Sequence, residues 1–298
     1  MSTKPSLQTP SGALGHAADR LCECVRRVGS PVCVGLDPVL ERLPGDLASS
    51  STSPTSAIET FCLGVLDAIA GQVGVVKFQS ACFERYGSEG VAVLERSLAA
   101  ARERDLMSIL DAKRGDIGIS AAHYAAAATA CGSDWVTING WLGEDGIAPF
   151  LDGGIGAFVL VRTSNPSGET IQNQSLVDGR TVAESMGDLV TSMGADHVGE
   201  HGYSTLGAVI GATHPAELEG FRSRLPGTIF LLPGYGAQGG TAEDLASCFD
   251  DNGLGALVTA SRSVIYAGEG GSGGWTDAVR QAATELADDV GTVAGMRS

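Results

Sequence analysis

Asp111, Lys113 and Asp116 fall within one six-residue stretch, Asp111-Ala112-Lys113-Arg114-Gly115-Asp116, directly after the apolar run Leu106-Met107-Ser108-Ile109-Leu110. That run reads as a strand. Alternation then puts Asp111 and Lys113 on one side of it, and Gly115 allows a turn that returns Asp116 towards them. Two carboxylates beside one ammonium keep it charged, whereas a third negative charge brought to the same spot by a substrate is repelled. The cluster suits a reaction that expels a carboxylate and then needs a proton. A structural ion pair at a strand end has the same signature, since ion-pair networks also perturb titration, so the rest of the chain has to separate the two readings.

Short β-branched runs alternate with longer Ala-rich amphipathic stretches. Strands are expected at 32–36, 73–78, 106–111, 134–138, 156–161, 205–210, 228–232 and 254–259. Helical patterns occupy 55–70, 88–104, 117–131, 143–152, 180–198, 214–223, 241–249 and 275–289, with an extra helix near 13–28 ahead of the first strand. Each crossover is long enough to join parallel strands, and eight such units predict a single-domain (β/α)₈ TIM barrel over residues 1–298, with 1–12 a flexible leader. An open doubly wound sheet is the alternative that periodicity leaves standing.

In a barrel of this kind the chemistry gathers after the strand C-termini. The polar residues there are Asp37, Lys77, Asp111 with Lys113, Asn139, Ser164, Pro233 through Gln238, and Ser261 with Arg262. Lys77 closes the apolar run Val73-Gly74-Val75-Val76, where an amine needs a carboxylate partner or must snorkel to the rim; Asp111 or Asp116 is the available partner. The segment Pro233-Gly234-Tyr235-Gly236-Ala237-Gln238-Gly239-Gly240, followed by Thr241-Ala242-Glu243 with N-cap chemistry, favours an anion. Gly234, Gly236 and Gly239 also fit a dinucleotide fingerprint, and Arg262 could answer a 2′-phosphate, but no ribose-binding acid follows. A single phosphate held after strands seven and eight, with Arg262 as a forked donor, is the simpler reading.

Composition bounds the partners. The 298 residues are 43% apolar and 18% charged, with a net charge of −16. Such an acidic average field repels nucleic acid, although a local cluster of donors can still hold a small anion. The seven cysteines are scattered without paired spacing, which points to reduced, buried thiols in a cytoplasmic protein. No run approaches membrane-spanning length. His197-Val198-Gly199-Glu200-His201 matches a zinc-peptidase pattern, but with Gly199 inside it and Gly202 after it a solvated helix terminus is the better account.

Taken together, Val34-Gly35-Leu36-Asp37-Pro38, Val76-Lys77-Phe78-Gln79, Asp111-Ala112-Lys113-Arg114-Gly115-Asp116-Ile117-Gly118, Thr163-Ser164-Asn165-Pro166 and the 233–240 loop resemble the orotidine 5′-phosphate decarboxylases, in their longer bacterial form. The likeness runs from about residue 13 to 290. It implies cofactor-free, metal-free conversion of orotidine 5′-monophosphate to uridine 5′-monophosphate and carbon dioxide, the last step of de novo pyrimidine synthesis. By matched position it implies Lys113 as proton donor and Asp111 as the group facing the substrate carboxylate. Lys77 would contact the ribose and hold Asp111 and Asp116, and Asp37 would bind a ribose hydroxyl. Ser164 would bind the base, with Asn139 near the matching strand-four position. Pro233 lines the site, while Gln238 and Arg262, with Gly236 and Ser261, would grip the 5′-phosphate. Asp116 would reach into a neighbouring subunit, which implies a homodimer with shared sites. Tyr235 departs from the pattern by its size.

Two alternatives remain open on the sequence. A metal-dependent phosphate-sugar decarboxylase or aldolase barrel shares the D-x-K-x-x-D element but would use Asp111 and a second acid as magnesium ligands. A non-catalytic nucleotide-binding barrel would hold the product and leave the substrate unchanged.

Overall fold

Strands buried on both faces, as these are, need partners on both edges, and closing the sheet on itself supplies them. The computed structural model describes residues 15–212, 215–235, 241–269 and 274–297; the expected flexible N-terminal segment 1–12 and the expected binding residues Gly236 and Gln238 lie outside them. The strands are β1 (Val32–Leu36), β2 (Val75–Gln79), β3 (Met107–Arg114), β4 (Trp135–Ile138), β5 (Gly156–Arg162), β6 (Leu206–Ile210), β7 (Phe230–Pro233) and β8 (Ala256–Ala260). Each pairs in parallel with the next, and β8 pairs with β1 to close the barrel. The (β/α)₈ barrel is thus the observed fold, and the open sheet is not.

Helices cover the outside. In chain order they are α1 (Ala17–Val28) before β1, α2 (Gly45–Ser50) and α3 (Pro54–Ile69) before β2, then α4 (Ser80–Glu84) and α5 (Gly87–Arg102). They continue with α6 (Gly118–Ala130), α7 (Glu144–Leu151), α8 (Glu169–Gln172), α9 (Val182–Gly194), α10 (Pro215–Arg224), α11 (Arg262–Ile265) and α12 (Trp275–Val293). No helix among the described residues is long and apolar enough to cross a membrane. Two expected helices came out differently. The 180–198 stretch ends as α-helix at Gly194 and runs on as a 3₁₀ turn over Ala195–His197. The 241–249 stretch is a 3₁₀ helix, Glu243–Cys248, and just beyond it the Asp250 carboxylate accepts from the amides of Asn252 and Leu254 in a turn.

Strand alternation divides the core in two. Outward residues such as Val34, Val76, Leu110, Val136 and Val258 pack with α3, α5 and α12. Inward residues Cys33, Val75, Ile109, Trp135, Phe158, Leu231 and Leu257 fill the barrel together with Leu21, Cys22 and Val25 of α1. The extra helix therefore closes the N-terminal end of the barrel, and Gly29, at φ +67°, terminates it. The His197–His201 segment is, as expected, a helix end with exposed residues, the 3₁₀ turn stopping at His197; it is also latched onto α1, where Asp19 accepts from the amides of Glu200 and His201 (both 3.0 Å) and His16 Nε2 meets the His197 carbonyl at 2.9 Å. Its two histidines share no helical face.

The barrel floor is tightly fitted. Trp135 stacks on Phe158 with ring centroids 4.5 Å apart, and a Cβ on Gly156 would lie 2.2 Å from the indole. Gly156→Ala should therefore lower stability by about 1–3 kcal/mol, measured as a reduced urea midpoint with an unchanged slope; an unshifted midpoint would show that the floor can yield.

Candidate active site

The same alternation carries polar side chains to the C-terminal mouth. On β2, β3 and β4 the inward series runs from Val75, Ile109 and Trp135 to Lys77, Asp111 and Thr137 two residues later. The result is a row of alternating charge. Lys77 Nζ lies 3.5 Å from Asp37 Oδ1 and 2.9 Å from Asp111 Oδ2, and Lys113 Nζ donates to Asp111 Oδ1 at 2.5 Å. Two neutral donors complete the shell: Gln79 Nε2 at 3.2 Å from Oδ2 and Thr137 Oγ1 at 2.8 Å from Oδ1. Asp111 and Lys77 are buried, whereas the Lys113 side chain is 45% exposed. A ligand can reach the row at both ends, at the Lys113 ammonium and at Asp37, whose side chain is 31% exposed.

Electrostatics fix the charge states. Burial alone would raise the Asp111 carboxyl, but Lys77 and Lys113 outweigh it and hold it at about 2 against an ordinary 3.8. Burial likewise disfavours the Lys77 cation, and Asp37 and Asp111 reverse that, keeping its pKa above the ordinary value. The backbone is constrained as well. Lys113 has a left-handed φ of +47°, which a lysine holds only where its surroundings impose it.

These residues open into a cavity of about 1000 Å³. Asp37, Lys77, Asp111, Lys113, Ser164, Pro233, Ser261 and Arg262 all line it, as the sequence led us to expect. Ser261 reaches it because Gly35 has no side chain: a Cβ there would lie 1.9 Å from Ser261 Oγ. Ser164 is held from behind by buried Arg162, whose Nε donates to Glu217 Oε2 at 2.8 Å and whose Nη1 donates to the Thr163 carbonyl at 3.2 Å. Among the described residues no group of three or more His, Cys, Asp or Glu side chains converges as a metal-binding set.

Two expected residues stay out of the cavity within this chain. Gly115 does not take a left-handed turn, and Asp116, instead of folding back to Lys77 or Lys113, accepts from the Ile117 amide at 2.8 Å. Asn139 caps the 3₁₀ turn Gly140–Leu142 through the Trp141 amide at 3.0 Å.

Comparison with known proteins now bears on this geometry. Residues 30–272 match the family model described as orotidine 5′-phosphate decarboxylase / HUMPS family. The chain belongs to that family. An orotidine 5′-phosphate decarboxylase of Rhodopirellula baltica is 39% identical over 293 residues, covering 90% of this chain and 97% of the relative. That of Deinococcus radiodurans is 39% identical over 273 residues, covering 89% and 93%. The structure of Leishmania donovani OMP decarboxylase superposes with a TM-score of 0.77 at 27% identity, covering 94% of this chain and 99% of that one.

Within this decarboxylase-family barrel, sequence reasoning missed Gln79, Thr137, Arg162 and Arg42. Thr137 could have been found by counting two on from the inward Trp135. Arg42 is a tertiary arrangement: its guanidinium stacks 4.0 Å over the Tyr266 ring and pairs with Glu269, while Tyr266 Oη accepts from the Val39 amide and donates to the Asp37 carbonyl. Tyr235, large for its position, is half-buried on the cavity wall and packs against the outer core.

Because the Asp111 carboxyl titrates lower in the folded chain than unfolded, its ionisation stabilises the fold in full above about pH 4 and the gain is lost as pH falls towards 2. The stability gap between wild type and Asp111→Asn, followed by urea unfolding, should shrink on acidification by on the order of 2 kcal/mol. A gap constant across that window would mean that the carboxyl is not held low.

Proposed function

We propose that this chain, as one barrel domain, decarboxylates orotidine 5′-monophosphate to uridine 5′-monophosphate and carbon dioxide in pyrimidine synthesis, with Lys113 as proton donor. The observation that carries the reading is the Asp37–Lys77–Asp111–Lys113 row, with its one exposed ammonium at the C-terminal mouth. With the pyrimidine ring over Lys113, the C6 carboxylate meets the fixed negative charge of Asp111. The C6–carboxylate bond breaks, the electron pair stays on C6, and carbon dioxide leaves. Lys113 Nζ stabilises the pair and delivers a proton to it, and solvent restores the ammonium. No cofactor enters this balance.

Binding is assigned to the rest of the cavity. Ser164 takes the base, Asp37 and Lys77 the ribose, and Ser261 with Arg262, beside Pro233 and the Gly236 and Gln238 loop, the 5′-phosphate. Interactions far from the reacting carbon orient it. A magnesium-dependent reading is disfavoured because both Asp111 oxygens are already occupied by two donors each, and a cation would have to displace them.

A homodimer with shared sites is part of the proposal. Asp116 is flanked by exposed apolar side chains, Ile117 (52% exposed), Ile119 (76%) and Trp141 (67%), and its carbonyl and the Leu142 Cβ lie equally close, 3.2 Å, to where a Gly146 side chain would start. Such a patch fits a second copy that receives Asp116 in its cavity. A cytoplasmic location is consistent with all seven cysteines being free thiols.

Loss of orotate absorbance on incubation with purified protein tests the reaction, with turnover expected equally with and without chelator; absence of turnover by the wild type would overturn it. Lys113→Ala should lose turnover by several orders of magnitude while still binding uridine monophosphate, whereas Arg262→Ala should act mainly by raising KM. Near-normal turnover of the first variant would remove Lys113 from its role. Mixing Lys113→Ala with Asp116→Ala subunits should restore activity, because the hybrid contains one intact shared site. No recovery in a mixture shown by sedimentation to form hybrids would place Asp116 outside the partner's site.

A further inference from the structure

Thr137 occupies a point where three constraints meet. The pairing of β3 with β4 is broken by a bulge: Leu110 faces Val136 and Arg114 faces Ile138, so four steps along β3 are matched by two along β4. The stretch from Asp111 to Lys113 therefore leaves the regular ladder. Thr137 lies opposite it, 1% exposed, and its hydroxyl does two things there. It accepts the Lys113 backbone N–H at 3.0 Å and donates its proton to Asp111 Oδ1 at 2.8 Å. Lys113 Nζ donates to that same carboxylate oxygen.

We propose that Thr137 is a positioning residue for decarboxylation, a hydroxyl staple that holds Lys113 in its left-handed backbone and aims the Asp111 carboxylate at the Lys113 ammonium. It touches both members of the reacting pair and neither end of the phosphate grip. A β-branched side chain suits the task, since its rotamer is restricted and the hydroxyl cannot swing away without displacing the methyl. Removing the hydroxyl takes from the Lys113 N–H its partner and releases the strained φ, so the ammonium and carboxylate lose their mutual aim. That loss is felt when C6 expels its carboxylate and takes a proton, and far less when the nucleotide binds.

The inference rests on the reading of Lys113 and Asp111 as the reacting pair, and the test separates the two. Wild type, Thr137→Val, Thr137→Ala and Thr137→Ser are compared for orotidine monophosphate turnover, uridine monophosphate affinity and thermal unfolding. Thr137→Val, which keeps the shape, should lower kcat about 10- to 100-fold, the range for one hydrogen bond to a charged group, with KM and product affinity changed by no more than a few-fold. Thr137→Ser should recover most of kcat. A Val variant as active as wild type, a loss that appears in KM instead of kcat, or a Ser variant as impaired as Val would each overturn the inference. Should Thr137→Val not fold, Thr137→Ala against Thr137→Ser makes the same comparison. An inert wild type would overturn the decarboxylase reading and this inference with it.

Discussion

The Asp111 carboxylate, gripped by Lys77 on one oxygen and Lys113 on the other, is the contact on which the rest of the site depends. Neither buried charge would be tolerable alone: an unpartnered ammonium at Lys77 or an unpartnered carboxylate at Asp111 would lose its ionisation to burial. Together they keep it. Asp111 therefore remains negative on the cavity wall, beside the exposed Lys113 ammonium. The barrel makes this affordable through strand alternation, which sets a polar residue two positions beyond an apolar one on neighbouring strands and so stacks a charged layer directly on a dry one.

The cavity has two halves of different chemistry. The charged network of Lys77, Asp111, Lys113 and Thr137 comes from β2, β3 and β4, while Pro233, Ser261 and Arg262 come from β7 and β8 and the segments that follow them. Small features hold the halves in relation. Gly35 gives Ser261 its space on the seam between β1 and β8, and Tyr266, just past α11, is hydrogen-bonded to the segment that carries Asp37. On the Ser164 side of the cavity, the Arg162–Glu217 pair ties the end of β5 to α10. Asp37, Lys77, Asp111 and Ser261 are thus each braced or given room by a second element.

Much of this was legible in the chain itself. All eight strands lie where the β-branched runs predicted, since barrel strands are short, apolar and separated by long amphipathic crossovers. The lining residues Asp37, Lys77, Asp111, Lys113, Ser164, Pro233, Ser261 and Arg262 were legible for a related reason, that the fold gathers strand ends. What escaped were facts of register and backbone. The left-handed residue is Lys113, inside β3 and not at Gly115, and Asp116 bonds its neighbour Ile117 instead of returning to the lysines. Thr137 looks like ordinary strand composition within Trp135-Val136-Thr137-Ile138; counting two on from Trp135 turns it inward, but its bond to the Lys113 amide emerges only with the bulge opposite it. Arg42 and Arg162 depend on partners 227 and 55 residues away, Glu269 and Glu217, which no local pattern encodes.

The packing of α1 under the barrel has a consequence for traffic. With Leu21, Cys22 and Val25 driven up against the interior layer of Cys33, Val75, Trp135 and Leu257, the barrel has a sealed base. Among the described residues no route leads through that end, so whatever reaches the Lys113 ammonium and whatever leaves it pass by the C-terminal mouth, where the cavity is lined by strand ends.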